Sequence, residues 1–184
     1  MRDASMDDLA VPTTAGMSVR EVLTVLAALR DAGCRCWVAG GWGVDALVGR
    51  QTRPHRDLDL AVDAGQESVA LVVLGNLGYA VDEDWRPVRV ELRAAGRGWV
   101  DVHPVVFDGD GNGVQAGFDG ASFSYPRACF TEGALAGQMV PCLSVSQQID
   151  FHTGYEPRDH DLHDLEILAG LRSGSTRVVP STES

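Results

Sequence analysis

In the stretch "HRDLDLAVD", Asp57 and Asp59 stand one residue apart while Leu58, Leu60 and Val62 are apolar. Alternation of this kind is the pattern of a half-buried strand, and in a strand residues two apart share a face. The two carboxylates therefore project together and the aliphatic side chains point the other way. Ionised carboxylates this close repel each other unless a cation neutralises them. Hard divalent cations take carboxylate oxygens, and Mg²⁺ commonly binds through one or two of them together with substrate phosphates. A third acid, Asp101, occurs in "GWVDVHPV", sharing a strand face with His103 while Val100 and Val102 take the other. If the two strands are neighbours, Asp101 completes a three-carboxylate site. Taken alone, D-x-D on a strand reads more readily as the solvent face of a sheet.

The segment upstream shifts that balance. "WVAGGWG" puts Gly40 and Gly41 at the end of a strand and the start of a short helix. Glycines let a backbone approach a phosphate closely, and a helix amino terminus offers free N–H groups and positive dipole character. No G-K-[ST] follows, so this is not a Walker A loop. "GWGVDA" does match G-x-G-x-x-A, with acids about twenty residues on, the dinucleotide-binding pattern. Three features oppose that reading. The helix has only about two turns before Gly49 and Pro54, too short for a β-α-β crossover. The acids come as a pair at the start of the next strand, where the dinucleotide pattern wants one at its end. The motif also stands alone.

These residues need elements to hold them. "SVREVLTVLAALRDAG" opens with a capping box, Ser18 and Glu21, carries Val22, Val25, Leu26 and Leu29 on one face, and stops at Gly33. Asp63 with Gln66 and Ser144 with Gln147 announce two further helices, and "DHDLHDLEILAGL" a last one. Strands are expected in "CWVAG", "DLDLAV", "YAVDED", "VRVELR" and "WVDVHPVVF". This order predicts an α/β (α+β) fold, a mixed sheet packed by helices. The expected domain is residues 17–172, with polar, mobile tails at 1–16 and 173–184.

Composition narrows the partners. A net charge of −11 would repel a phosphate backbone, which argues against DNA or RNA, and suits a cationic small molecule or a divalent metal. No apolar run approaches the ~20 residues of a membrane span, and the amino terminus lacks the pattern of a signal peptide. A cytoplasmic protein is expected. Its four cysteines, without zinc or C-x-x-C spacing, are read as reduced and packed.

A glycine pair, a short helix, D-x-D on a strand and a third acid on a later strand resemble the nucleotidyltransferase superfamily typified by DNA polymerase β. "GGWGVDALVGRQTRPHRDLDL" is similar to antibiotic nucleotidyltransferases of the aminoglycoside 2''-type and the small lincosamide type. "WRPVRVEL", "VDVHPVVFDGDGN" and "VPCLSVSQQIDFHTGYE" resemble the small lincosamide enzymes specifically, so the likeness runs from about Trp37 to Leu168. It implies transfer of a nucleoside monophosphate from ATP or GTP to a drug hydroxyl, with release of pyrophosphate. Asp57 and Asp59 would hold Mg²⁺. Asp101 would act as general base, as a metal ligand, or as both. Gly40, Gly41 and Trp42 would receive the triphosphate, without the serine that most of the superfamily places after the glycine. Arg53, His55, Arg56 and Arg89 would balance its charge. The acceptor would be a cationic lincosamide, or an aminoglycoside, and the resemblance leaves room for a homodimer. A non-catalytic nucleotide binder is opposed by the presence of all three aspartates, and a toxin-like enzyme acting on tRNA by the net charge.

Other features read as structural. "DGDGNGVQAGFD" mimics an EF-hand loop but sits between strand-like segments, as a hairpin loop would. His160 and His163 fall on a solvated helix face, and Asp45 is read as a structural hydrogen-bonding residue. Trp85, Trp99 and Tyr155 are assigned to the core, while Trp42 is shared between core and site.

Overall fold

The structure, a computed structural model, describes residues 16–153 and 156–174. The expected tails, apart from their inner ends, and Tyr155 lie outside the described residues.

Ser18 caps α1 (Val19–Asp31), its hydroxyl accepting the Glu21 N–H at 3.2 Å, and Val22, Val25, Leu26 and Leu29 form the buried stripe that their spacing requires. β1 (Cys36–Ala39), α2 (Gly40–Val48), β2 (Asp57–Asp63), α3 (Glu67–Asn76), β3 (Ala80–Trp85), β4 (Arg89–Ala94) and β5 (Gly98–Phe107) follow in order. The second capping box works differently from the expectation. Asp63 accepts the Gly65 N–H at 2.9 Å and caps a single 3₁₀ turn, so α3 proper begins at Glu67. Gln66 turns away from the helix, bridging the Arg35 N–H and the Gly33 carbonyl at 2.8 Å each, which ties the exit of α1 to this turn.

Past β5 the chain forms β6 (Gly113–Ala116), β7 (Ser122–Tyr125), β8 (Phe130–Leu135) and β9 (Gln138–Leu143), then α4 (Val145–Phe151) and α5 (Asp159–Gly174). Only the β7 segment reads as strand-like in sequence. Gly133, Gly137 and Pro141 disguise the β8–β9 hairpin, and Gly133 is a packing requirement. A Cβ there would come within 2.4 Å of the Ala46 carbonyl oxygen of α2. The EF-hand lookalike is the β5–β6 turn: Asp108 Oδ1 accepts the Asp110 and Asn112 N–H groups, each at 2.9 Å.

The strands form one mixed sheet in the order β3-β4-β5-β2-β1-β9-β8, with β6 and β7 continuing from β5. β1 and β2 run antiparallel, so α2 is no β-α-β crossover and the dinucleotide reading fails on topology. β2 and β5 run parallel, in a register that sets Asp59 opposite Asp101. Leu58, Leu60, Val62, Val100 and Val102 are fully buried on one face, packed with the stripes of α1 and α3. Ala39, Ala61 and Val105 share the other face with the carboxylates, within an aromatic cluster containing Trp37, Tyr125, Phe130 and Phe151. All four cysteines are buried and unpaired. Among the described residues no helix is long and apolar enough to cross a membrane.

Candidate active site

The carboxylate face of β2 and β5 floors a cavity of about 1020 Å³. One side is walled by the start of α2 and the chain before β2, and another by Phe123, Tyr125 and Phe151. Arg158, His160, Asp161 and Asp164, at and just before α5, close a third. A pocket of this volume lies at the upper end of what one drug-sized ligand fills.

Asp59 and Asp101 lie side by side because of the backbone register, not because of side-chain reach. Together with His103 they can bring one ligand atom each within 4.8 Å of one another. Asp57 shares their face, but its carboxylate is turned to Arg56, which donates to Oδ2 from Nε at 3.0 Å and from Nη2 at 2.8 Å. Arg56 also reaches Glu91 at 3.3 Å. Asp101 is 2% exposed, and Arg89 Nη1 donates to its Oδ2 at 2.6 Å. Its Oδ1 is buried with no hydrogen-bond partner among the described residues. An orphaned carboxylate oxygen beside a second carboxylate suits a divalent cation, so these residues fit Mg²⁺.

Burial, and then the charge of Asp59, push the Asp101 carboxyl up to about 7, against the opposing pull of Arg89. Burial works to raise Asp59 as well. There the His103 hydrogen bond, with the charges of Arg89 and Arg56 behind it, outweighs it and holds the group below the usual carboxylate value. Two adjacent acids are thus driven apart, one toward the anion and one toward the acid form.

Gly40 and Gly41 open α2. Gly40 has φ of +56°, and a Cβ on it would come within 2.1 Å of Asp59 Oδ2. A Cβ on Gly41 would come within 2.4 Å of His55 Nδ1 and 2.6 Å of Arg53 Nη2. Both positions need glycine, since the aspartate and the basic side chains crowd against the turn. His55 is buried and fixed by Asp45, whose Oδ2 lies 2.5 Å from Nε2 while its Oδ1 accepts from Thr52 N–H and Oγ1–H. A carboxylate only accepts, so Nε2 carries the proton and Nδ1 faces the glycine turn. Asp45 is therefore structural, as its sequence position suggested, and the residue it structures is His55.

Each of the four basic residues singled out for the triphosphate is already engaged. Arg53 forks onto Asp164 of α5 at 3.0 and 2.6 Å, His55 holds Asp45, Arg56 holds Asp57 and Glu91, and Arg89 holds Asp101. Trp42 is 1% exposed and does not line the cavity; its ring lies 4.5 Å from that of His55, so only its backbone faces the question of phosphate binding. Trp85 and Trp99 are not core residues. They lie under Arg89 and Arg56, at 4.5 and 4.9 Å from guanidinium carbon to ring centroid. His160 does line the cavity, 3.5 Å from Asp161, and His163 does not. Gln115 and Tyr125 had no sequence signal; Asp164 stood out only as an acid beside His160 and His163, and its partner Arg53 lies 111 positions away. His103 had a signal, its shared face with Asp101.

A family model described as aminoglycoside-2''-adenylyltransferase matches residues 21–168. A lincosamide resistance protein of Staphylococcus haemolyticus is 35% identical over 135 residues, which cover 73% of this chain and 84% of the relative. A 2''-aminoglycoside nucleotidyltransferase of Escherichia coli is 30% identical over 120 residues, covering 65% of this chain and 64% of the relative. The lincomycin-bound crystal structure of the lincosamide antibiotic adenylyltransferase LnuA is similar with a TM-score of 0.77 and 31% identity, over 85% of this chain and 99% of that one. ANT(2'')-Ia in complex with adenylyl-2''-tobramycin shares the fold, with a TM-score of 0.65 and 22% identity over 86% of this chain and 98% of that one.

Proposed function

The chain belongs to the aminoglycoside-2''-adenylyltransferase family and is a nucleotidyltransferase of the polymerase-β-like α+β fold; from that premise we propose that it transfers AMP from ATP to a hydroxyl of a lincosamide. The observation that carries the reading is the β2–β5 register, which sets Asp59 beside Asp101 at the floor of a drug-sized cavity. A lincosamide is favoured over an aminoglycoside because the lincosamide relatives are more identical and more fully covered. The net charge of −11 suits the basic amine of either acceptor.

Asp57, Asp59 and Asp101 would hold Mg²⁺, which when bound neutralises charge on the triphosphate and at the α-phosphorus. The triphosphate lies along the opening of α2, where Gly40 and Gly41 expose backbone N–H groups and Arg53 and Arg56 supply charge beside His55. The acceptor's apolar parts rest on Phe123, Tyr125 and Phe151. Its hydroxyl points at Asp101, which takes the proton as the new oxygen–phosphorus bond forms and the bond to the departing pyrophosphate breaks. Arg89, hydrogen-bonded to Oδ2, keeps that carboxylate oriented. We infer a cytoplasmic setting, where a nucleotide donor is available.

Pyrophosphate release from Mg²⁺–ATP and Mg²⁺–GTP, with lincomycin, clindamycin and a panel of aminoglycosides, tests the reading. Release with lincosamides, lost in Asp59→Asn and Asp101→Asn, is the expected result. Release only with aminoglycosides replaces the acceptor, and release with no drug overturns the antibiotic reading.

A further inference from the structure

A hydrogen-bonded chain runs from the cavity wall to Asp59. Tyr125 Oη lies 2.5 Å from Gln115 Oε1, Gln115 Nε2 lies 3.1 Å from His103 Nδ1, and His103 Nε2 lies 3.3 Å from Asp59 Oδ1. Tyr125 and Gln115 are 2% and 6% exposed, so water does not substitute freely for these partners.

Counting donors fixes every proton in the chain. Gln115 Nε2 also lies 3.4 Å from the Val88 carbonyl oxygen, which can only accept. The amide nitrogen therefore faces Val88 and His103, and the amide oxygen faces Tyr125. Burial pushes the Tyr125 phenol up, so its proton stays and is donated to Oε1. Because Nε2 of Gln115 is a donor, Nδ1 of His103 must be bare. The imidazole proton is then on Nε2, directed at Asp59. Turning the amide over would set its oxygen against the Val88 carbonyl, which can only accept.

We propose that Gln115 and Tyr125 are positioning residues that hold His103 as the neutral Nε2–H tautomer, so that it donates to Asp59 and does not itself ligate the metal. The proximity of His103 to both aspartates makes it a geometric candidate for a ligand, but a protonated nitrogen has no lone pair to give. Asp59 Oδ1 is thereby committed to His103. Its Oδ2 is left facing Gly40, at the place where a side chain is missing and the triphosphate is proposed to lie. The metal part of this inference rests on the function proposed above; the tautomer does not.

Long-range ¹H–¹⁵N spectra of the imidazoles, assigned by His103→Gln, read the tautomer directly in nucleotide-free protein. The wild type is expected to show a pyridine-type Nδ1 and a pyrrole-type Nε2. In Gln115→Glu, where a carboxylate replaces the donor, Nδ1 is expected to carry a proton as well, since Asp59 still accepts from Nε2. In Gln115→Met both tautomers are expected, and Mn²⁺ affinity measured by electron paramagnetic resonance should fall about 10-fold, the lower end for outer-shell substitutions. A purely structural glutamine would leave the nitrogen shifts of a folded variant unchanged. A protonated Nδ1 in the wild type, or an unchanged tautomer in Gln115→Glu, overturns the proposal. The expected tautomers with no Mn²⁺ binding by the wild type uphold the relay and overturn the metal reading.

Discussion

Replacing Asp101 with asparagine should make the metal-free protein more stable at pH 8 while removing its activity. Folding raises this carboxyl from 3.8 to about 7, and at about 1.4 kcal/mol per pKa unit the buried anion costs about 4 kcal/mol above neutral pH. Asparagine cannot accept from Arg89 as strongly as a carboxylate does, and Arg89 is 28% exposed and able to turn to water, so about half of that gain should survive. The sign follows from proton uptake. The folded chain binds the extra proton between pH 4 and 7, so wild-type stability falls as pH rises through that window and levels off above it. Asp101→Asn should therefore lie about 2 kcal/mol below the wild type near pH 4 and about 2 kcal/mol above it at pH 8, the latter roughly 4–8 °C in Tm for a chain of this size. Urea unfolding followed by tryptophan fluorescence, in EDTA from pH 4 to 8, measures the difference. A variant less stable than the wild type at pH 8, or an advantage that does not grow with pH, would refute the account of Asp101 as a carboxylate raised by burial.

Gly40→Ala places a Cβ 2.1 Å from Asp59 Oδ2 at a positive φ, so turnover should drop by about 100-fold or more. Gly75→Ala, near the end of α3 with open space around it, serves as the control, with unchanged kcat/KM and about 0.5 kcal/mol of added stability. Arg53→Met leaves the Asp164 carboxylate, 2% exposed, without its fork; a loss of about 3 kcal/mol in denaturant unfolding is expected, and Asp164→Leu in the same chain should recover most of it. Mn²⁺ titrations should separate the paired aspartates. Asp59→Asn is expected to abolish binding, while Asp57→Asn, whose carboxylate is turned to Arg56, weakens it.

Much of the site could be read before the fold was known, for a physical reason. Strand alternation forces Asp57 with Asp59, and Asp101 with His103, onto single faces, so the only missing datum was whether the two strands are neighbours. Nothing local in either segment supplies that; it depends on β4 and β5 forming a hairpin and β2 joining its free edge. Capping boxes at Ser18 and Ser144 were legible because the donor and acceptor lie three residues apart. Asp63 and Gln66 have the same spacing, but tertiary contacts to the loop after α1 claim Gln66. The β8–β9 hairpin was hidden because Gly133 serves packing against α2 and Gly137 the turn, which a local reading takes for loop. The Arg53–Asp164 fork spans 111 positions and could not have been read from either end.

The parallel pairing of β2 with β5 also has a kinetic meaning. Parallel neighbours cannot be joined by a tight turn, and here α3 and the β3–β4 hairpin lie between them along the chain. Those intervening pieces close short loops, whereas bringing Asp59 beside Asp101 closes one of about forty residues. The step that forces two carboxylates together therefore also carries a loop-closure cost that the local hairpins do not. Divalent cations should thus act mainly on the unfolding rate, since the pair they bridge does not exist until β2 joins β5.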